Sequence, residues 1–388
     1  MIKKYYIESV FLIILGVASS LSLPPYNYLI INFFTFSIFF IFLFRKSKIT
    51  QNKFFFFLYG WLFGFGYFFS SLYWISISLT FDQNFKFLIP ITIILIPAFL
   101  GIFYGLFTLC FVISKTEKIV SSFFSFSLFF GIFEFIRGSI LTGFPWNLIA
   151  YSFADHLEIF TIISLIGTYG FNLFCISLFA SPALFILRDT KKDICVCIVF
   201  LIMPLLFYIY GSTYKETFLA SDIINYDYKV RVIGTNISLD RFYSNIEPVS
   251  VIKDLIDISD PNKNEKTIFV WPEGILPDIS QKELVEYKWL FENRFNENHL
   301  LVIGTNSQVS KDGNINYFNS FSIYDQNLSL LHAYNKVNLV PFGEFLPFEN
   351  ILKTIGLRVI TNNYQSFSRG NKREIIEINR EGFSFKIL

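Results

Sequence analysis

Seven long apolar segments fill the first 211 residues, and they constrain the fold more than any other feature of the chain. A helix that crosses a bilayer needs about 20 apolar residues. The composition agrees, because 53% of the 388 residues are hydrophobic and only 16% are charged. We therefore predict a polytopic α-helical membrane bundle with spans near 7–23, 26–44, 54–79, 88–113, 119–136, 158–187 and 194–211.

The short segments between these spans differ in charge. If the N-terminus is cytoplasmic, the outer loops hold only Lys86 and Arg137, and all the other basic residues of this region lie inside. By the positive-inside rule this fixes the orientation and places everything after residue 211 outside. The inner basic residues are Lys3, Lys4, Arg45, Lys46, Lys48, Lys53, Lys115, Lys118, Arg188, Lys191 and Lys192. One alternative is that residues 1–20 are a cleavable signal peptide, which would leave six spans and the same outer placement.

The remaining composition excludes other classes of protein. A net charge of +2 without a clustered basic face argues against nucleic-acid binding. The chain offers no pattern of metal ligands and no disulfide framework, so we predict neither a metal site nor disulfide bonds. All the cysteines belong to the apolar half, and the histidines are scattered. These residues are Cys110, Cys175, Cys195, Cys197, His156, His299 and His332.

The sequence changes character near residue 226, where apolar runs shorten to strand length and charges become frequent. Strands are predicted at 229–237, 267–271 and 300–304, with helices at 247–258 and 280–296 between them. Hairpins follow, from strands at 317–324 and 328–334 and at 373–378 and 383–388. We therefore predict three segments: a transmembrane domain at 1–211, a linker at 212–227 and an α/β domain with a mixed sheet at 228–388.

Three charged residues of the α/β domain are candidates for chemistry. Glu273, in a Trp-Pro-Glu-Gly stretch, follows a predicted strand, and we expect the nearby apolar Trp271 to raise its pKa enough for it to act as a base. Lys336 follows the strand predicted at 328–334, and it can stabilise the negative charge that forms when a carbonyl is attacked. Glu344 lies in a rigid loop with two Pro and one Gly, from where it can hold Lys336 by an ion pair or take part in proton transfer.

These motifs, in this order, resemble those of bacterial apolipoprotein N-acyltransferases, which are membrane-embedded members of the nitrilase (carbon–nitrogen hydrolase) superfamily. The α/β part carries WPE at 271–273, GTN at 304–306, NS at 319–320 and YNKVNLVPFGEFLP at 334–347. The membrane part carries E-x-x-R-G at 134–138 and GFPW at 143–146. The resemblance covers nearly the whole chain.

The resemblance implies a multi-pass protein of the bacterial inner membrane with a nitrilase-like α/β sandwich on the periplasmic side. Such an enzyme acts without cofactor or metal as a monomer, and moves an acyl chain from a membrane phospholipid to the N-terminal diacylglyceryl-cysteine of apolipoproteins through a Cys thioester. Glu273 is then the general base, Lys336 the stabiliser of the intermediates and Glu344 the assisting carboxylate. The residues implied to bind substrate are Trp271, Asn319 and Trp146.

The nucleophile that the resemblance implies, a Cys in a Cys-Tyr-Glu motif, is not in the chain, because no Cys follows Cys197. Ser384 precedes the expected position, and we do not assign it as the nucleophile. We interpret the chain as truncated before that Cys, either as a fragment of an active enzyme or as an inactive remnant. Two alternatives remain open: a non-catalytic lipid-binding relative, and a multi-span transporter with an extracytoplasmic domain.

Overall fold

The computed structural model divides the chain into two compact units, Met1–Asp222 and Ile223–Leu388. The residues that the structure describes are 2–50, 52–80, 83–140, 143–221, 226–234, 247–276, 279–311, 314–341, 343–346, 366–380 and 382–387. The predicted strand residues 235–237, the loop residues Phe342 and Pro347, and Leu388 lie outside these ranges.

The first unit is helical. Its α-helices are α1 Ile2–Ser20, α2 Ile30–Ile49, α3 Lys53–Leu72, α4 Ile89–Ser114, α5 Ile119–Ser139, α6 Leu157–Phe160, α7 Ile163–Ala180, α8 Pro182–Leu187 and α9 Lys191–Ala220. Short 3-10 helices cover Tyr73–Thr80, Gln83–Leu88 and Ile149–Phe153.

Six helical segments of the described residues are long and apolar enough to cross a membrane, so this is a membrane protein. They match the second to seventh predicted spans. The first predicted span falls on α1, whose apolar stretch Tyr5–Ser20 is shorter than the other six. The sixth span consists of α7 and α8, with Pro182 beginning the second of them. The last helix continues to Ala220, because residues 212–220 contain no Pro or Gly that would end it.

Close helix contacts and stacked aromatic rings hold the first unit together. The rings of Phe39 and Phe63 stack with their centroids 4.2 Å apart, and those of Phe107 and Phe130 do the same. A Cβ atom at Gly60 would overlap the Tyr104 carbonyl on α4, so glycine is what lets α3 and α4 approach. Small residues at helix contacts are typical of membrane bundles, because association there depends on close van der Waals packing.

The second unit is built on one mixed sheet of five strands in the order β1-β2-β3-β4-β5. The first three strands are parallel, and β4 and β5 are antiparallel to their neighbours. The five are β1 Lys229–Val232, β2 Thr267–Trp271, β3 His299–Lys311, β4 Asn314–Tyr324 and β5 Leu330–Asn335. The fold class is therefore a helical membrane bundle followed by an α/β domain.

Each face of the sheet is covered by a different kind of element. Helices α10 Pro248–Ser259, α11 Gln281–Leu284 and α12 Lys288–Phe291 supply one apolar core. On the other face, a hairpin of β6 Ile376–Arg380 and β7 Phe383–Ile387 packs on residues of β2, β3 and β4. The sheet therefore lies between a layer of helices and a hairpin.

Several predicted elements differ from the structure. The strand predicted at 229–237 ends at Val232, and the strand predicted at 373–378 begins at Ile376. The helix predicted at 280–296 begins as expected with a capping box between Ser280 and Glu283, but a 3-10 turn at Val285–Tyr287 interrupts it. Tyr287 has a φ of −91° and a ψ of 7°, which breaks the α-helical hydrogen-bond series. Strand β3 runs seven residues beyond the predicted end at 304, because residues 305–311 pair with β4.

Candidate functional site

Glu273 lies in a tight turn directly after β2. Gly274, the next residue, has a φ of +64°, a conformation that glycine adopts without steric cost. On the neighbouring strand β3, a Cβ atom at Gly304 would lie 2.8 Å from the Glu273 Cα. The absence of a side chain at Gly304 therefore lets the Glu273 backbone pack on the sheet.

Lys336 follows β5 directly, and hydrogen bonds fix its backbone on both sides. Its N–H donates to the Asn319 carbonyl on β4 at 2.9 Å, which continues the β4–β5 ladder. Its carbonyl accepts from the Gly370 N–H at 2.9 Å. The direction of the Lys336 side chain is thus set by the sheet and by the segment 366–370.

Glu344 is held by the turn that begins at Val340. Its Oε2 accepts the Val340 N–H at 2.7 Å, and its own N–H donates to the Val340 carbonyl at 2.8 Å. The Phe367 N–H donates to the Glu344 carbonyl, also at 2.8 Å. Only 11% of the side chain is exposed, so the surrounding residues hold it in place.

These three side chains meet around the Lys336 ammonium. Lys336 Nζ lies 3.0 Å from Glu273 Oε1 and 2.9 Å from Glu344 Oε1. The predicted ion pair between Glu344 and Lys336 is therefore confirmed. The Glu273 side chain is 62% exposed, and that of Lys336 is 31% exposed, so the cluster opens to solvent at the Glu273 end.

The pKa of Glu273 is shifted in the direction opposite to the one expected from the sequence. Partial burial does raise it, but hydrogen bonds from Asn319 and Lys336 and the charge of Lys336 outweigh burial, so the Glu273 pKa lies below its ordinary value. For Lys336, partial burial opposes the charged form, but the hydrogen bonds that its ammonium donates to Glu344 and Glu273 raise its pKa. Both groups are therefore charged at neutral pH.

The sequence did not reveal what Asn319 contacts. Its Nδ2 lies 2.6 Å from Glu273 Oε1 and 2.7 Å from Glu344 Oε1, so its amide bridges the two carboxylates. The contribution of segment 366–370, through Phe367 and Gly370, was also missed. No local pattern identifies either contribution, because the contacts join residues that are distant in the sequence.

The two tryptophans predicted to bind substrate have different surroundings. Trp271 is 2% exposed and donates its indole N–H to Ser259 Oγ at 3.0 Å, so its ring lies in the core beneath the strand end and is not placed to touch a substrate. Trp146, in the first unit, is 47% exposed and stacks on Trp74 with ring centroids 5.3 Å apart.

The loop that bears Trp146 is held by a buried ion pair. Arg137, which the charge pattern counted as a loop residue, is fully buried and donates to both carboxylate oxygens of Glu134, at 3.0 and 2.9 Å. Its remaining terminal nitrogen donates to the carbonyls of Phe144 and Trp146, at 2.6 and 2.9 Å. The E-x-x-R-G and GFPW motifs are therefore one structural device.

No group of three or more His, Cys, Asp and Glu side chains among the described residues is arranged to hold a metal ion. All four cysteines belong to the first unit, and residues 223–388 contain none. Among the described residues, the side chains that meet at this site supply one ammonium, two carboxylates and an amide.

Comparison with known proteins identifies the family to which this chain is similar. A family model of the N-terminal domain of apolipoprotein N-acyltransferase matches residues 15–181. Proteins named apolipoprotein N-acyltransferase are similar over most of the chain. The one from Rhodopseudomonas palustris is 28% identical over 386 residues, which cover 96% of this chain and 71% of that protein. The one from Rickettsia prowazekii is 30% identical over 354 residues, 89% of this chain and 68% of that protein.

The similarity extends to a protein of the same name from Brucella melitensis, 27% identical over 333 residues, which cover 84% of this chain and 62% of that protein. The matched regions therefore span about two thirds of the relatives' own length. The similarity includes both the membrane half and the half that carries the charged cluster. The chain belongs to the apolipoprotein N-acyltransferase family.

Proposed function

We propose that this protein functions in the N-acylation of lipoproteins, the last step of their maturation. In this reaction an acyl chain passes from a membrane phospholipid to the α-amino group of an N-terminal S-diacylglyceryl-cysteine. The observation that carries the proposal is the Lys336 ammonium, held between two carboxylates of which one, Glu273, is largely exposed. A base beside a fixed cation is what acyl transfer requires.

The hydrogen bonds support different roles for the two carboxylates. Both oxygens of Glu344 accept hydrogen bonds, Oε1 from Lys336 and Asn319 and Oε2 from Val340. Among the described contacts, those of Glu273 involve Oε1 alone, so its Oε2 is the oxygen open to a reacting proton. Glu273 is therefore the general base, and Glu344 is the assisting carboxylate that holds Lys336.

Lys336 supplies the electrostatic part of catalysis. An ammonium has three N–H donors, and the two carboxylates take two of them. Among the described contacts the third has no acceptor, so it can serve the oxygen of an attacked carbonyl, where negative charge develops in the transition state. Its raised pKa keeps Lys336 protonated throughout, so it stabilises this oxyanion without giving up its proton.

The covalent steps require a cysteine thiol, which residues 223–388 do not contain. Glu273 accepts the thiol proton, the thiolate forms a bond to the donor ester carbonyl, and the lysophospholipid leaves with the proton from Glu273. The amine of the apolipoprotein then attacks the resulting thioester and gives a proton to Glu273. The amide forms, and the departing thiolate recovers that proton.

The distribution of charge supports the location. The basic residues of the first unit favour a multi-pass placement in the bacterial inner membrane with the second unit on the periplasmic side. There both lipid-anchored substrates, the phospholipid and the diacylglyceryl apolipoprotein, are within reach of one monomer. Trp146, half exposed next to Trp74, is suited to the membrane–water interface, where it would contact a lipid substrate.

The test uses an extended chain, in which the residues of the Rickettsia prowazekii relative that lie beyond the matched region follow residue 388. Proteoliposomes with labelled phospholipid and a diacylglyceryl-cysteine peptide report acyl transfer. We expect transfer by the extended chain and its loss in Glu273→Gln and Lys336→Ala. The control Glu286→Gln changes an exposed acid outside the cluster and should leave transfer intact.

Two outcomes oppose the proposal. Unimpaired transfer by either cluster variant would refute the assigned roles, and a folded extended chain that transfers nothing would refute the function. The non-catalytic alternative predicts that even the extended chain binds the labelled phospholipid without turnover, and that Glu273→Gln leaves this binding unchanged.

A further inference from the structure

The Asn319 side chain contacts both carboxylates of the charged cluster, which consists of Glu273, Lys336 and Glu344. Its single Nδ2 donates to Glu273 Oε1 and to Glu344 Oε1, the same two atoms that Lys336 Nζ contacts. An amide nitrogen has two N–H donors, and the two carboxylates use both. We propose that Asn319 is a positioning residue, which holds Glu273 ionised and the two carboxylates at a fixed separation around Lys336. This inference rests on the proposed function.

The need for such a residue follows from the charges. Two carboxylates that share one nitrogen lie within the ~4–6 Å over which a like charge favours protonation of one of them. Lys336 brings one positive charge against two negative ones, which leaves an excess of negative charge in the cluster. Asn319 adds two donors without adding charge, so it stabilises the ionised form of Glu273. A protonated Glu273 could not accept a proton from the nucleophile.

Asn319 is suited to this role because its own position is rigid. It lies on β4 within the sheet, where it pairs with Asn306 of β3. Its carbonyl accepts the Lys336 N–H at 2.9 Å, which ties the same residue to the ammonium it assists. The next residue, Ser320, is buried and donates to Asn335 Oδ1 at 2.7 Å. A side chain on such an element holds its orientation better than one on a loop.

The first experiment needs no activity. In the 388-residue protein, infrared difference spectra between wild type and Glu273→Gln isolate the carboxyl band of Glu273, and its pH titration gives the midpoint of protonation. We expect Asn319→Ala to move this midpoint to higher pH by about one unit, as expected for the loss of a hydrogen bond to a charged group. An unchanged midpoint would overturn the proposal.

The matched control is Asn316→Ala, on the same strand. Asn316 Oδ1 accepts from Ser368 Oγ at 3.3 Å and does not bridge the carboxylates, so the Glu273 midpoint should stay at its wild-type value. If Asn319→Ala does not fold, Asn319→Asp serves instead. It has nearly the same shape but accepts where the amide donates, so the midpoint should move further in the same direction, and no shift would again contradict the role.

The second experiment separates this inference from the proposed function. In the extended chain, Asn319→Ala should move the acid limb of the pH profile of kcat/KM to higher pH, with the rate recovering in alkaline buffer. A merely structural role would lower the rate equally at every pH, and that result would overturn the inference. A shifted infrared midpoint in a chain that transfers nothing would refute the proposed function and leave the positioning role standing.

Discussion

Replacement of Gly304 by Ala tests whether the backbone of Glu273 is placed as tightly as catalysis demands. The new Cβ atom would lie 2.8 Å from the Glu273 Cα. Carbon atoms pack at about 3.5–4.0 Å, so Glu273 has to move by about 0.7–1.2 Å. The bond between Glu273 Oε1 and Lys336 Nζ, now 3.0 Å, has little room for such a displacement.

A misplacement of about 1 Å can cost about a hundredfold in rate, so we expect acyl transfer by the extended chain to fall by about ten- to a hundredfold. The control is Gly234→Ala, because a Cβ atom there meets nothing within 4 Å. Denaturant unfolding should show that Gly304→Ala lowers the free energy of unfolding by about 1–3 kcal/mol, the usual cost of overpacking. A Gly304→Ala variant that transfers at the wild-type rate would refute the reasoning.

Three further predictions concern buried or charged groups. Glu134→Gln leaves Arg137 buried without its partner, so the free energy of unfolding should fall by about 3–5 kcal/mol in detergent, and the double variant Glu134→Gln/Arg137→Gln should recover part of it. Lys336→Arg should abolish transfer by the extended chain, because a planar guanidinium cannot reproduce the contacts of a compact ammonium with both carboxylates; wild-type turnover would count against this geometry. His299 is fully buried, and burial holds its pKa below the ordinary 6.5. The neutral imidazole therefore contributes its full stability above pH 6.5, and this contribution is lost as the pH falls through the pKa of His299 in the folded protein. Denaturation at pH 7.5 and 5.5 should show this loss in the wild type, and less of it in His299→Phe.

Much of the fold could be predicted because it depends on local patterns. The length of the apolar runs identified the spans, and apolar runs bounded by polar residues identified β2 with both of its ends. The end of β3 could not be predicted, because residues 305–311 are mostly polar and become a strand only by pairing with β4. The 3-10 turn at Val285–Tyr287 was missed for a similar reason, since the sequence there contains no Pro or Gly.

The charged residues of the site could be found one by one, because each follows a strand or lies in a shaped loop. The direction of the Glu273 pKa shift could not be predicted, because it depends on residues that are distant in the sequence and not on the neighbouring Trp271. Trp271 was expected to desolvate Glu273, but its ring points into the core and bonds to Ser259. The groups that set the Glu273 pKa are Asn319 and Lys336, which lie 46 and 63 residues further along the chain.

The register of the sheet explains why these residues meet. Ser320 pairs with Asn335, so the next positions, Asn319 and Lys336, are opposite each other and share a face. Ser320 and Asn335 bond to each other on the opposite, buried side. A slip of one residue between β4 and β5 would turn Lys336 toward that side and away from Glu273. The partly buried Ser320–Asn335 bond therefore favours this register, and with it the face on which the Lys336 ammonium meets both carboxylates.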